Sequence, residues 1–273
     1  MKTDLLQQEN INPNKGWKCP KREDDFWSMS PLNEAIIKDY KEIFRLLITH
    51  ERIDINQYSE YYTPLHNAVI CNNHEFIKSL ATHQHIDLEL TAGGYSDNMR
   101  SPIGFAIMNN NKEVVELLLH IAPPLSYNGT DILLVAIWDN NDFEMFKLIS
   151  HWENTWNDID INSTIQYDQG SYLYNAIIKN RPKIVELLLQ HENIEGSFDG
   201  DYINEDEKYI PFDAAIVNGN IEIIKLLLKF KNKEGNCVID CHKEFIKLIN
   251  TIHKQVDLSG CPNGKKLLEV LYM

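Results

Sequence analysis

Apolar residues recur along this chain in two alternating arrangements. The first is short, with a large residue three positions before an alanine: Leu32 before Ala35, Leu65 before Ala68, Ile103 before Ala106, Leu133 before Ala136, Leu173 before Ala176 and Phe212 before Ala215. The second is longer and follows within a dozen residues, in Ile43-Phe44-x-Leu46-Leu47, Val114-Val115-x-Leu117-Leu118, Ile184-Val185-x-Leu187-Leu188 and Ile223-Ile224-x-Leu226-Leu227. Spacings of i, i+3 and i+4 put these residues on one face of a helix. The six alanines lie 33, 38, 30, 40 and 39 residues apart, one period of about 33 with insertions and a deletion, as in a stacked repeat array. Two copies are locally irregular. The second has Ser79 where leucine is expected, and the fourth has one extra residue before Met145-Phe146-Lys147-Leu148-Ile149.

Polar residues punctuate the pattern at fixed offsets. Five positions before the alanine stand Ser30, Thr63, Ser101, Asp131, Ser171 and Ile210. All but Ile210 can accept a backbone N–H as a helix N-cap. Next come Pro31, Pro64, Pro102, Ile132, Tyr172 and Pro211, and proline suits a first helical position because its missing N–H would be unpaired there. Four residues past the alanine stand Asp39, Asn72, Asn110, Asn140, Asn180 and Gly219, types that tolerate the left-handed conformation ending a helix. Each unit therefore predicts a short helix, a tight reversal and a second, antiparallel helix. A small alanine at the anchor lets the neighbouring helix approach closely.

The run Thr63-Pro64-Leu65-His66-Asn67-Ala68, with partial copies at the other anchors, resembles the signature of the ankyrin repeat family. Ile53-Asp54-Ile55-Asn56, Ile159–Asn162 and Ile86-Asp87-Leu88 resemble the approach to that family's hairpins. The resemblance spans roughly residues 30 to 230 and implies an all-α solenoid of stacked helix-turn-helix units with β-hairpin fingers along one edge. On this reading residues 1–29 are an N-terminal extension and cap, 30–230 hold six repeats, and 231–273 form a helical cap or degenerate seventh repeat. Residues up to about 25 are polar and expected to be flexible; Phe26 and Trp27 are expected to cover the open end of the first repeat.

Composition narrows the partner. A formal charge of −14, from 40 acidic and 26 basic residues, disfavours nucleic acid, whose binding depends on neutralising phosphates. It favours a protein with a basic or mixed surface. Five cysteines without a regular framework do not describe a disulfide-stapled secreted domain. No signal-peptide core or membrane span is evident, so a monomeric, cytoplasmic protein is expected. Asn, Ile and Lys suit an AT-rich genome, and by analogy alone a host-directed effector in a host cytosol is a further possibility.

Candidate chemistry is sparse. His50, His83, His120, His151 and His191 recur at the ends of the second helices, where a charged ring would suit the helix dipole; stacked helices about 10 Å apart hold them too far apart for one metal ion. Cys237, Cys241, His242, His253 and Cys261 match no zinc spacing. The acidic stretch Asp199-Gly200-Asp201 with Asn204-Glu205-Asp206-Glu207 lacks the alternation of a calcium loop. No nucleophile–base pair or phosphate-cradling loop is present, so neither an enzyme nor a cofactor is expected.

The binding reading rests on the position two past each alanine, which in the resembled family faces the groove. It holds Ile37, Ile70, Met108, Trp138, Ile178 and Val217, apolar in all six copies, with a polar margin of Lys38, Cys71, Asn109, Asp139, Lys179 and Asn218. Exposed contiguous apolar surface marks an interaction site; the competing reading buries the stripe between helices. The groove centre is expected at Ile70, Met108, Asn109, Trp138, Asp139, Ile178 and Lys179, with Trp138 as anchor. Finger tyrosines Tyr62, Tyr95, Tyr127 and Tyr167 are expected to add contacts. Alternatives are a nucleotide- or RNA-binding groove and a regulatory subunit of an enzyme.

Overall fold

The helix starts fall where the capping residues stand. The computed structural model describes residues 12–18, 28–93, 100–121, 132–138, 142–152, 161–162, 170–191, 194, 201–204, 207–209, 212, 214–215 and 218–231. Within them run inner helices α1 (Pro31–Ile37), α3 (Pro64–Ile70), α5 (Pro102–Met108), α7 (Ile132–Trp138) and α9 (Tyr172–Ile178). They alternate with outer helices α2 (Lys41–Ile48), α4 (His74–Ala81), α6 (Lys112–Ile121), α8 (Phe143–Ser150), α10 (Pro182–Leu188) and α11 (Ile221–Lys229). Ser30, Thr63, Ser101 and Ser171 each accept a backbone N–H of their own inner helix, a cap of about 1 kcal/mol. Asp131, Ile210 and Pro211 lie outside the described residues.

Each described reversal uses the left-handed residue that the pattern places there: Asp39 (φ 55°), Asn72 (53°), Asn110 (53°), Asn180 (57°) and Gly219 (63°); Asn140 lies outside the described residues. Four of the described fingers close alike: an antiparallel pair forms at the residue just before the start of the inner helix, in Trp17↔Met29, Ser59↔Tyr62, Ala92↔Arg100 and Asp201↔Tyr209. The first belongs to β1 (Trp17–Lys18) with β2 (Ser28–Met29), the last to β3 (Asp201–Asn204) with β4 (Glu207–Tyr209). The expectation of a flexible start fails for residues 12–18, which form a turn and a paired strand; Phe26 and Trp27 lie outside the described residues.

The chain divides into two compact units, Met1–Val135 and Ala136–Met273. In each, the core lies between the helices of a pair and between consecutive pairs, with Ala35, Ala68, Ala106, Ala136, Ala176 and Ala215 all buried. Phe44 of α2 and Phe76 of α4 stack at 4.1 Å between ring centroids. Here the residue eight past one alanine, Phe76, faces the residue nine past the alanine before it, Phe44.

Candidate functional site

The stripe residues close their helices: Ile37, Ile70, Met108, Trp138 and Ile178 are the last residues of α1, α3, α5, α7 and α9. In the N-terminal unit they stand open to solvent, at 42%, 43% and 42% exposure for Ile37, Ile70 and Met108. The residues after them, Lys38, Cys71 and Asn109, are exposed as well. Partial burial, and secondarily the carboxylate of Asp39, push the Cys71 thiol above its ordinary pKa, which makes it a poor nucleophile.

Polar side chains hold this unit together beneath the stripe. Buried His66 has its Nδ1 2.7 Å from the Thr63 hydroxyl and its Nε2 3.0 Å from the Arg100 carbonyl. A carbonyl only accepts, so Nε2 carries the proton and Nδ1 accepts from Thr63. Burial lowers the His66 pKa to about 4, and only the bond to the Arg100 carbonyl opposes this. The ring ties its own N-cap to the next finger. Asn33, at the matching place in the first pair, lies near the Gln57 carbonyl and the Ser59 hydroxyl, and its Oδ1 accepts from Asn67 Nδ2.

Two further ladders were not anticipated from the sequence. Asn73 and Asn111 cap α4 and α6 through Oδ1. Each also donates Nδ2 to the left-handed residue of the preceding pair, Asp39 at 3.0 Å and Asn72 at 2.6 Å. Along the fingers, Asn56 donates Nδ2 to the His85 carbonyl at 2.8 Å and accepts the Asp87 N–H at 2.9 Å. Asn73 and Asn111 directly follow the left-handed Asn72 and Asn110, and that adjacency was the available signal.

In the C-terminal unit the same stripe position is engaged. The indole N–H of Trp138 donates to Asn175 Oδ1 at 2.7 Å, and Asn175 Nδ2 donates to the Ser171 carbonyl at 2.9 Å. The Lys179 ammonium stands 3.6 Å from the Trp138 ring centroid, a cation–π contact. Trp138, Ile178 and Lys179 are half-buried; Asp139 lies outside the described residues, and of the Val217 side chain nothing is described.

Among the finger tyrosines, Tyr62 turns back onto the helices, edge-on to Phe105 at 5.7 Å. Tyr58 donates its hydroxyl to the Thr91 carbonyl at 2.8 Å. Its own burial, then the charge of Asp87, raise that phenol's pKa. Tyr95, Tyr127 and Tyr167 lie outside the described residues.

The helix-end histidines are engaged locally: His50 Nδ1 accepts the Arg52 N–H and His83 Nδ1 the His85 N–H. His120 and His151 instead place Nδ1 against the carbonyls of Glu116 and Lys147, where that nitrogen donates. Among the described residues no group of three or more His, Cys, Asp and Glu is placed to hold a metal ion, and no helix is long and apolar enough to cross a membrane. The Cys237–Cys261 cluster lies outside them.

The family model described as ankyrin repeats (3 copies) matches residues 4–92 and 133–241. Among solved structures, the ankyrin repeat domain of human ASB11 is similar at 20% identity and a TM-score of 0.51, over 78% of this chain and 91% of that one. The ankyrin repeat domain of Bcl-3, a member of the IkappaB protein family, is similar at 19% identity and a TM-score of 0.56, over 82% and 99%. No curated protein matches the sequence. Ankyrin repeats are generally protein–protein interaction modules, typically without catalysis of their own. Capped inner helices, left-handed reversals, finger closures and a family match over most of the sequence agree, and the chain belongs to the ankyrin repeat family.

Proposed function

We propose that this protein binds another protein along the ends of its inner helices and acts by positioning or blocking that partner, as an adaptor, scaffold or inhibitor. The observation that carries this reading is the exposed row of Ile37, Ile70 and Met108, with Lys38, Cys71 and Asn109 beside it. Apolar side chains repeated at one solvent-facing position gain nothing for the fold and offer contact area to a partner. Trp138, Asp139, Ile178, Lys179 and the finger tyrosines extend the proposed surface. The charge of −14 favours a partner with a basic or mixed face.

The test pairs wild type with Ile70→Glu/Met108→Glu, both checked for folding by circular dichroism. Partners retained from a lysate by wild type are identified, and their Kd for each protein is measured. A central interface residue contributes roughly 2 kcal/mol, so the double variant should weaken binding by at least about 30-fold. Equal affinity for both proteins would remove the stripe from the interface.

A further inference from the structure

Among the described residues, five other than glycine have φ in the left-handed region: Asp39, Glu60, Asn72, Asn110 and Asn180. Four are the Asp or Asn of a helix reversal, types whose short polar side chains suit that conformation. Glu60, at φ 58°, is a longer residue in a finger. It opens a two-residue turn between Ser59 and Tyr62, which exchange backbone bonds of 2.9 and 3.1 Å. Tyr61, the second turn residue, does not share the positive φ, and a two-residue turn of that kind ordinarily takes glycine first. A Cβ at that place crowds the following carbonyl, a strain that glycine would relieve.

The fold makes no use of the side chain that causes this strain. Glu60 is exposed, and its carboxylate has no hydrogen-bond or ion-pair partner among the described residues. The turn around it is nevertheless fixed at both shoulders. The buried Ser59 hydroxyl accepts the Ser30 N–H at 2.8 Å and Asn33 Nδ2 at 2.9 Å, and Tyr62 lies edge-on to Phe105. Two residues before Glu60, Tyr58 is 43% exposed, with its hydroxyl held by the Thr91 carbonyl. Backbone strain persists where the surroundings over-determine it, and it collects at functional sites. A carboxylate on such a mount loses little further backbone freedom when it meets a cation.

We propose that Glu60 is a specificity-determining contact of the partner surface: its carboxylate pairs with an arginine or lysine of the bound protein, alongside Tyr58, and the turn tolerates strain to present it. This role rests on the partner-binding reading and deepens it, adding to the apolar stripe of the same unit a charge that disfavours an acidic partner. The formal charge of −14 acts in the same direction.

The test uses the full chain and a short fluorescent peptide of mixed leucine and arginine, with a twin in which glutamate replaces arginine, titrated by anisotropy at physiological salt. Wild type should bind the arginine peptide and reject its twin. Glu60→Gln should weaken binding at least about threefold without moving the melting temperature. Glu60→Gly should weaken it as much while raising the melting temperature by about 2 °C. Glu116→Gln, which removes an exposed carboxylate of the outer helix α6, should leave binding unchanged, and Ile70→Ala/Met108→Ala reads the stripe in the same titration. If Glu60→Gln binds like wild type while the stripe variant is weakened, Glu60 is no contact and the stripe reading stands; if neither is weakened, both fall. Equal losses for Glu60→Gln and Glu116→Gln would reduce the effect to overall charge and overturn the proposal, as would a Glu60→Gly protein no more stable than wild type. A wild type indifferent to both peptides would overturn the charge pairing and leave the stripe to the lysate test.

Discussion

The two units of this protein use one sequence position in opposite ways. In the N-terminal unit the last residue of each inner helix, Ile37, Ile70 or Met108, is open to solvent, and polar groups join the repeats: His66 to Arg100, Asn73 to Asp39, Asn56 to His85 and Asp87. In the C-terminal unit Trp138 takes that position, and its indole joins consecutive pairs through Asn175 beneath Lys179. The stripe position is thus open to solvent at Ile37, Ile70 and Met108, where polar groups make the joint, and partly covered at Trp138, which makes a joint itself. Stripe membership alone does not define a binding residue.

The largest expected effect tests the polar joint. His66 is held neutral in the fold, with a pKa of about 4 against 6.5, so between these values the unfolded chain takes up the proton that the fold excludes. The contribution is present in full above pH 6.5 and is lost as pH falls toward 4, up to roughly 3 kcal/mol. Unfolding free energies from urea titration at pH 7 and 4.5 should differ by nearly that much for wild type and far less for His66→Gln; equal differences would show that His66 is not the group responsible. Next comes the aromatic joint. Trp138→Ala removes a half-buried ring and its bond to Asn175, at about 2 kcal/mol, whereas Trp138→Phe loses only the hydrogen bond, at about 1 kcal/mol. Thermal unfolding measures both, and a Trp138→Ala protein as stable as wild type would return this residue to the free stripe. Smallest is Met108→Ala, expected to change stability by less than about 0.5 kcal/mol because the side chain is already in water; a loss near that of Trp138→Ala would erase the contrast between the units.

Much of the fold was legible because local rules act over a few residues. Ser30, Thr63, Ser101 and Ser171 cap helices, and Asp39, Asn72, Asn110, Asn180 and Gly219 turn the chain, each by its own conformational preference. Other features escaped because they are pairings across a repeat. Nothing local in Asn73 says that its amide will meet Asp39, or in Trp138 that its N–H will find Asn175. The Asn14 bonds escaped for another reason: a register anchored on alanine says nothing of residues ahead of the first anchor, although Asn14 bonds the Arg52 carbonyl as Asn56 bonds that of His85.

The sequence by itself determined the period, the two helices of each unit, their caps and their left-handed reversals, since these depend on residues within one turn of each other. Tertiary structure decided which apolar stripe residues remain in water, which nitrogen of His66 carries the proton, and which polar side chains join one repeat to the next. Those outcomes depend on groups some 30 or more residues apart meeting in the stack, as His66 meets Arg100 with a separation of 34 and Trp138 meets Asn175 with one of 37.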